Sequence, residues 1–394
     1  MGSVILKPKH EASLLRRHPW VFSGAVAAVA GGPAPGETVE IRSSAGRWLG
    51  RGAYSPHSQI RVRVWTFEES EAVGPAFFRD RLCRALDLCS LRRLADPDHA
   101  CRLVHGESDG LPGLIVDRYG GFLVCQFLAA GPERWKEAIA EELGRLVPPE
   151  GIYERSDGRS REKEGLPRRS GTLRGKTPPD LVEIREGECR FLVDLKQGQK
   201  TGFYLDQREN RAALAEYAPG ARVLNCFSYT GGFAVAALRA GAESAVNIDS
   251  AAEALDLAAR NLALNGLDPG KAENVRGNAA AVMRLYRDSR RRFDLVVLDP
   301  PKFAESRGQV EKASRAYKDI NLLALKLLKP GGALFTFSCS SHVGDDLFRK
   351  IVAWAALDAG REVRAVRRLG PPPDHPVALN FPEGAYLKGL VCVA

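Results

Sequence analysis

From about residue 187 to the C-terminus, short apolar runs alternate with amphipathic stretches, and this alternation constrains the fold of the 394-residue chain more than any other feature. RVLNCF (222–227), SAVNID (244–249), FDLVVLD (293–299) and ALFTFS (333–338) read as strands, with NVRGN (274–278) a shorter one. Between them, GGFAVAALRAG, EALDLAARNLALNG and segments near 279–290, 311–328 and 344–359 carry helical periodicity, and two more strand candidates close the chain near 362–369 and 385–393. Apolar strands separated by amphipathic helices predict an α/β fold with a mostly parallel, Rossmann-like sheet covered on both faces. Ligands of such sheets bind beyond the carboxyl ends of the strands.

Chemically capable residues stand at those ends. NCFSYTGGF follows the first strand, and its Gly231 and Gly232 open a helix and let backbone approach closely. It is not G-x-G-x-x-G, so the dinucleotide fingerprint is absent. Asp249 ends the second strand, 24 residues past Asn225, where a carboxylate can take both ribose hydroxyls or cap the next helix. Asn278 follows the third as a candidate adenine contact. Asp299-Pro300-Pro301-Lys302-Phe303 follows the fourth, and its prolines stop the strand and stiffen the loop around Asp299. Ser338-Cys339-Ser340-Ser341 follows the fifth. Cys226, also at a strand end, reads as a packing residue.

Residues 1–72 carry short β-like runs (ETVEI, WLGRGAY, IRVRVW) punctuated by Gly and Pro, a pattern that predicts a small all-β barrel. As a group its Arg16, Arg17, His18, Trp20, Trp48, Arg61, Arg63 and Trp65 suit stacking on and neutralising single-stranded RNA. Residues 73–186 form a middle α+β segment. It opens with a helix whose Phe78, Leu82, Leu86 and Cys89 share a face. GLIVDRY and GFLVCQFLA follow as strands paired through Gly120-Gly121, and a second helix spans about 132–146. YERSDGRSREKEGLPRRSGTLRGK is a loop by composition and, as the densest basic run, the best phosphate-contact candidate. A net charge of +9 favours a polyanionic partner. The eight cysteines form no C-x-x-C pair and none stands at zinc-ligand spacing with a histidine, so we expect reduced cytosolic thiols and no metal. No apolar run reaches the ~18–20 residues of a membrane span, and the first residues have no signal-peptide architecture, so a cytoplasmic protein without membrane attachment is expected.

With these residues in place the chain resembles a class I S-adenosylmethionine methyltransferase, and more narrowly the ribosomal RNA large-subunit cytosine-5 methyltransferase I family. The resemblance covers nearly the whole chain. RHPWVFSGAV and RGAYSPHSQIRVRVW resemble the family's PUA domain, an RNA-binding barrel. RLVHGESDGLPGLIVDRYG and YERSDGRSREKEGL resemble its middle domain. KTGFYLDQRENR, LNCFSYTGGF, LDPPKF, FSCSSHV and FPEGAYLKGL resemble its catalytic-domain motifs, which gives a division into 1–72, 73–186 and 187–394. The resemblance implies S-adenosylmethionine along Phe203, Asn225, Phe227, Tyr229, Thr230, Gly231, Asp249 and Asn278, with Asp299 near the reacting base, and it implies large-subunit ribosomal RNA as partner and a homodimer. Asn278 departs from the pattern, since relatives usually carry Asp; an Asn still reaches an adenine amino group, but without the charge. Lys302 stands where the wider cytosine-5 RNA enzymes carry a second cysteine, as in the one-cysteine branch.

Cytosine C5 is a poor nucleophile until a thiolate adds at C6, which is covalent catalysis. Cys339 is the expected thiolate. Lys302 is a candidate source of the positive charge that would activate it, and Asp299 a candidate proton donor to N3 or acceptor from the N4 amine. Three rivals stay open: transfer to guanine N7 or an exocyclic amine, which needs no nucleophile; uracil C5, which uses the same addition; and a non-catalytic RNA-binding assembly factor, which SAM binding would exclude.

Overall fold

The computed structural model describes the backbone of residues 2–91 and 99–394 and the side chains of 2–88 and 99–394. The chain forms two compact units. One comprises Met1–Ile184, Val193–Leu205 and Pro373–Gly384, the other Arg185–Leu192, Asp206–Pro372 and Ala385–Ala394.

In the first unit, β1 (Ser3–Leu6), β2 (Trp20–Phe22), β3 (Val26–Ala30), β4 (Thr38–Arg42), β5 (Trp48–Tyr54) and β6 (Ile60–Thr66) form a curled six-stranded sheet in the order β2-β6-β5-β4-β1-β3, with α1 (Ala12–Leu15) between β1 and β2 in sequence. Val4, Leu6, Val39, Ile41, Val62 and Val64, alternate residues of their strands, form its core. The same unit holds α2 (Pro75–Leu91) and a sheet β11-β10-β9-β8-β7, built from β7 (Cys101–His105), β8 (Leu114–Tyr119), β9 (Phe122–Phe127), β10 (Gly151–Ser156) and β11 (Arg169–Gly175). Phe78 and Leu82 of α2 are buried as its periodicity predicts, while Cys89 lies outside the described side chains. Gly120, at φ 55°, makes the β8–β9 turn. The helix expected over about 132–146 is two helices, α3 (Ala130–Arg134) and α4 (Lys136–Leu146). They break at Trp135, whose ring packs on Phe78 at 5.1 Å.

The basic segment is not a loop and only part of it faces solvent. Arg155 lies in β10, and Arg169–Gly175 is β11, its antiparallel neighbour. Arg155 is buried and donates to the carbonyls of Leu195 (2.9 Å) and Gly198 (2.9 Å). Arg161 is fully buried, donating to the Pro167 carbonyl (2.8 Å), the Phe127 carbonyl and Glu133 Oε2 (2.7 Å). A guanidinium has five donors in a planar fork and can tie several carbonyls together. Composition counts its charge but not its partners, so these two arginines brace the fold and cannot meet phosphate. Arg159, Lys163, Arg168, Arg169, Arg174 and Lys176 remain on the surface.

β12 (Val182–Glu186) and β13 (Cys189–Val193) form a two-stranded sheet. The second unit then runs α5 (Arg208–Leu214), β14 (Arg222–Cys226), α6 (Gly232–Arg239), β15 (Ser244–Asp249), α7 (Ala252–Leu264), β16 (Ala272–Arg276), α8 (Ala279–Asp288), β17 (Phe293–Leu298), α9 (Val310–Leu327), β18 (Leu328–Ser338), α10 (Asp345–Ala359), β19 (Arg364–Leu369) and β20 (Lys388–Val393). The sheet order is β16-β15-β14-β17-β18-β20-β19. Its first five members are parallel; β20 is antiparallel to both β18 and β19. Chain order reverses between β14 and β17, and that switch point is where an open α/β sheet leaves a crevice for ligand. Strands β14, β15, β17, β18 and β20 are largely buried, as their near-continuous apolar runs require, while the edge strands β16 and β19 are largely exposed.

Candidate active site

The register aligns the strand ends on either side of the switch point. Cys226 of β14 lies opposite Ile248 of β15 and Leu298 of β17, and Leu298 lies opposite Thr336 of β18. Residues just past these positions therefore share one edge of the sheet.

The loop after β14 holds an unusual backbone. Phe227 (φ 60°), Tyr229 (φ 46°) and Gly231 (φ 79°) are all left-handed, alternating with buried Ser228 and Thr230. Bulky non-glycine residues seldom accept this region, and such outliers cluster at ligand sites. Phe227 and Tyr229 are half-buried, and Phe227 packs against the core of the sheet. Gly231 is required twice over: by its φ, and because a Cβ there would stand 2.9 Å from Ala258 Cβ on α7. Its close approach is thus to a helix. Asp249 fixes the loop, accepting from Tyr229 N (2.8 Å) through Oδ2 and from Ala251 N (3.0 Å) through Oδ1. It does not cap α7, whose N-cap is Ala251.

Beneath the loop runs a ladder of amides. Asn225 Nδ2 donates to Asn247 Oδ1 (2.9 Å), Asn247 Nδ2 to Asn274 Oδ1 (3.0 Å), and Asn274 Nδ2 to the Leu255 carbonyl (3.1 Å). These asparagines sit opposite one another on β14, β15 and β16, so one amide plane crosses three strands. Asn225 Oδ1, Ser228 Oγ and Thr230 Oγ1 are buried without a hydrogen-bond partner. Orphaned polar atoms beside a strained loop and a half-buried carboxylate suit a polar, positively charged nucleoside ligand. Asn278 is exposed and caps α8, its Oδ1 accepting from Ala281 N (3.1 Å), which leaves its amide N–H₂ for an outside acceptor.

The other half of the edge carries Asp299, Lys302 and Cys339. Asp299, first residue past β17, is half-buried between buried Leu298 and Pro300, and Lys302 is exposed. Cys339 is the one residue from Gly332 to Ser340 that is not buried. Its Sγ lies 3.9 Å from the Pro300 carbonyl, so the two loops meet at the thiol. Ser340 ties them: its Oγ accepts from Ala304 N (3.2 Å) and lies 3.0 Å from the buried Tyr317 hydroxyl. Burial pushes the Tyr317 phenol up from its ordinary range, against hydrogen bonds from Ser338 and Ser340. The Ser340 carbonyl accepts from Lys388 Nζ (2.8 Å), which also donates to the Val343 carbonyl (2.7 Å). Ser340, Tyr317 and Lys388 carried no sequence signal of their own as site residues. Lys388 lay inside FPEGAYLKGL but reaches the cysteine loop only because β20 returns antiparallel beside β18, opposite Ser338.

Ten of the eleven predicted residues thus lie in the second unit. Phe203 belongs to the first, buried, its backbone N–H directed to the Tyr119 hydroxyl (3.3 Å). Neighbouring Thr201 donates to Asp117 (2.6 Å), which also takes Arg102 through Nε (2.7 Å) and a terminal nitrogen (2.9 Å). The start of KTGFYLDQRENR is therefore anchored on the β8 sheet.

A switch-point crevice lined this way defines a nucleoside-dependent transferase of the Rossmann-like kind. The family model for S-adenosylmethionine-dependent methyltransferases matches residues 96–391, and one for PUA-like domains matches residues 4–67. Among curated proteins, ribosomal RNA large subunit methyltransferase I of Citrobacter koseri is 51% identical over 389 residues, covering 99% of this chain and 98% of its own. That of Klebsiella pneumoniae strain 342 is 51% identical over 99% of this chain and 97% of its own. A Streptococcus mutans protein assigned as a SAM-dependent methyltransferase has the same fold, at TM-score 0.86, 22% identity and full coverage of both chains. A second structure, complexed with S-adenosylhomocysteine, superposes at TM-score 0.87 with 22% identity and full coverage of both. The chain belongs to the S-adenosylmethionine-dependent methyltransferases, within the family of ribosomal RNA large subunit methyltransferase I. Its cofactor is S-adenosylmethionine. Among the described residues no helix is long and apolar enough to cross a membrane.

Proposed function

We propose that the protein methylates C5 of a cytosine in large-subunit ribosomal RNA, with Cys339 as covalent nucleophile. The observation that carries this reading is the lone emergence of Cys339 from an otherwise buried strand end, its thiol against the Asp299-Pro300-Pro301 loop. Asp249 would hold the ribose hydroxyls of the cofactor, Asn278 its adenine, and Phe227, Tyr229, Thr230, Gly231 and Asn225 the walls around it. S-adenosylmethionine, when bound, supplies an electrophilic methyl group on a sulfonium centre.

The chain's own residues make C5 able to accept that methyl. The Cys339 thiolate adds to C6: the S–C6 bond forms, and the C5–C6 π pair moves onto C5 and towards N3. Asp299 would hydrogen-bond the N3/N4 edge, where the displaced charge collects. After methylation the C5 proton leaves to a base, the π bond re-forms and the S–C6 bond breaks, returning the thiolate. A free thiol, with a pKa of about 8.5, is only slightly ionised at neutral pH, so the site must favour the thiolate. Lys302 is exposed and is a weak source of that bias. The PUA-like domain and the surface cations of the basic segment would hold the RNA. A cytoplasmic homodimer completes the proposal.

Nucleoside mass spectrometry of ribosomal RNA incubated with S-adenosylmethionine tests it. 5-Methylcytidine with wild type and none with Cys339→Ala is the expected result. Equal product from both removes Cys339 as nucleophile; a methylated uridine, guanine N7 or exocyclic amine discards the cytosine assignment.

A further inference from the structure

Lys388 is a buried cation that, among the described residues, has no carboxylate at ion-pair distance, and it lies directly under the cysteine loop. It is 7% exposed, and its Nζ donates to the carbonyls of Ser340 and Val343 at 2.8 and 2.7 Å. Those carbonyls bracket one turn, closed by Val343 N donating to Ser340 O (3.0 Å) immediately after Cys339. Register makes the placement obligatory: Lys388 pairs with Ser338, so a side chain leaving β20 there runs beneath the next two residues of the partner strand. The charged groups that face it are Cys339, Asp345 at the start of α10, and Lys302 from the Asp299 loop. Asp345 is half-exposed, so water weakens its field. Lys302 repels. Cys339 is the facing group that gains a negative charge in the proposed reaction.

A buried ammonium satisfied by neutral carbonyls carries a desolvation cost that a facing anion relieves. The relation is reciprocal, since whatever the anion does for the ammonium the ammonium does for the anion. Burial lowers the Lys388 pKa to about 8, while the Cys339 thiolate raises it.

We propose that Lys388 is the positioning residue that holds Cys339 as a thiolate. It locks the loop through Ser340 and Val343 and presents its ammonium to the sulfur. On ionisation the S–H bond breaks, the electron pair stays on Sγ, and the proton passes to solvent; Lys388 keeps its own. This inference rests on the reading of Cys339 as nucleophile but goes beyond it, because neither charge density nor motif spacing assigns Lys388 a role.

The test uses full-length protein without RNA. Iodoacetamide alkylation of the Cys339 peptide is followed by mass spectrometry across pH, in wild type, Lys388→Gln and Lys388→Arg. Glutamine keeps N–H donors for the two carbonyls and loses the charge; arginine keeps both. The alkylation midpoint of Lys388→Gln should rise by about one pH unit, and that of Lys388→Arg should stay near wild type. Methyl transfer by Lys388→Gln should fall about 10²-fold with the KM for S-adenosylmethionine unchanged within about threefold. An unshifted midpoint in Lys388→Gln overturns the proposal. So does a wild-type midpoint at or above about 8.5, the value of an unperturbed thiol, which needs no variant to fold. Product from Cys339→Ala would instead sink the nucleophile reading, and the alkylation profiles would still report whether Lys388 governs the thiol.

Discussion

The two halves of the sheet edge are braced by opposite means. On the β14-β15-β16 side the brace is neutral: three amides in register, with backbone N–H groups gathered on Asp249. On the β17-β18-β20 side it is a hydroxyl pair and a buried ammonium. Under the proposed function, the difference matches the charge each half would meet. A sulfonium cofactor brings its own positive charge, so a cation beneath it would repel; a thiolate needs one. Each half also has a strand-end cysteine. Cys226 is fully buried, and burial pushes its thiol well above the ordinary range. Cys339, three residues beyond the position level with it, breaks the surface. Identical side chains at the ends of two strands of one sheet, β14 and β18, are thus a buried core residue and a partly exposed thiol according to which one the loops leave uncovered.

Exchanging the thiols for methyls breaks the comparison most sharply. Cys339→Ala should lose at least about 10³-fold in turnover, as nucleophile deletions do, and still bind S-adenosylmethionine by calorimetry. Cys226→Ala should stay within about threefold of wild type in turnover and cost about 1–2 kcal/mol of stability in denaturant unfolding, from the small cavity it leaves. Equal losses of turnover in the two variants would erase the division between the halves.

A change on the cofactor side should act on affinity instead. Gly231→Ala forces a Cβ into the left-handed region and to within 2.9 Å of Ala258. It should weaken S-adenosylmethionine binding about tenfold and lower stability by about 1–3 kcal/mol. Unchanged calorimetric affinity would detach the loop from the cofactor. The smallest effect belongs to Asn278→Asp. Aspartate caps a helix as well as asparagine does, so α8 is undisturbed. The added charge should tighten the cofactor by a few-fold at low salt, and a weakened affinity would count against a cofactor contact at this position.

Periodicity located most elements of the second unit, because strands buried on both faces and helices buried on one impose different repeats on the same apolar residues. It failed where partners rather than periods decide. Trp135 splits a helix that reads as continuous, because its ring is taken up by Phe78. Arg155 and Arg161 look like part of an exposed basic loop and are buried, because backbone carbonyls and, for Arg161, the Glu133 carboxylate accept from their guanidinium groups. At the site, Asp249, Asp299 and Cys339 were legible because strand ends in a parallel sheet must converge. Lys388 was not, since nothing in local sequence tells a lysine on a closing strand that its neighbour across the ladder is Ser338.

By itself, then, the sequence determined the alternation of strand and helix, the edge where chemistry collects and the residue types offered there, since these follow from local periodicity and chain direction. Only the tertiary structure decided which of two strand-end thiols is open, which arginines are spent inside the fold and which lysine stands beneath the cysteine loop. The hydrogen-bond partners that decide this include residues 28 to 48 positions away, and a local pattern carries no information about them.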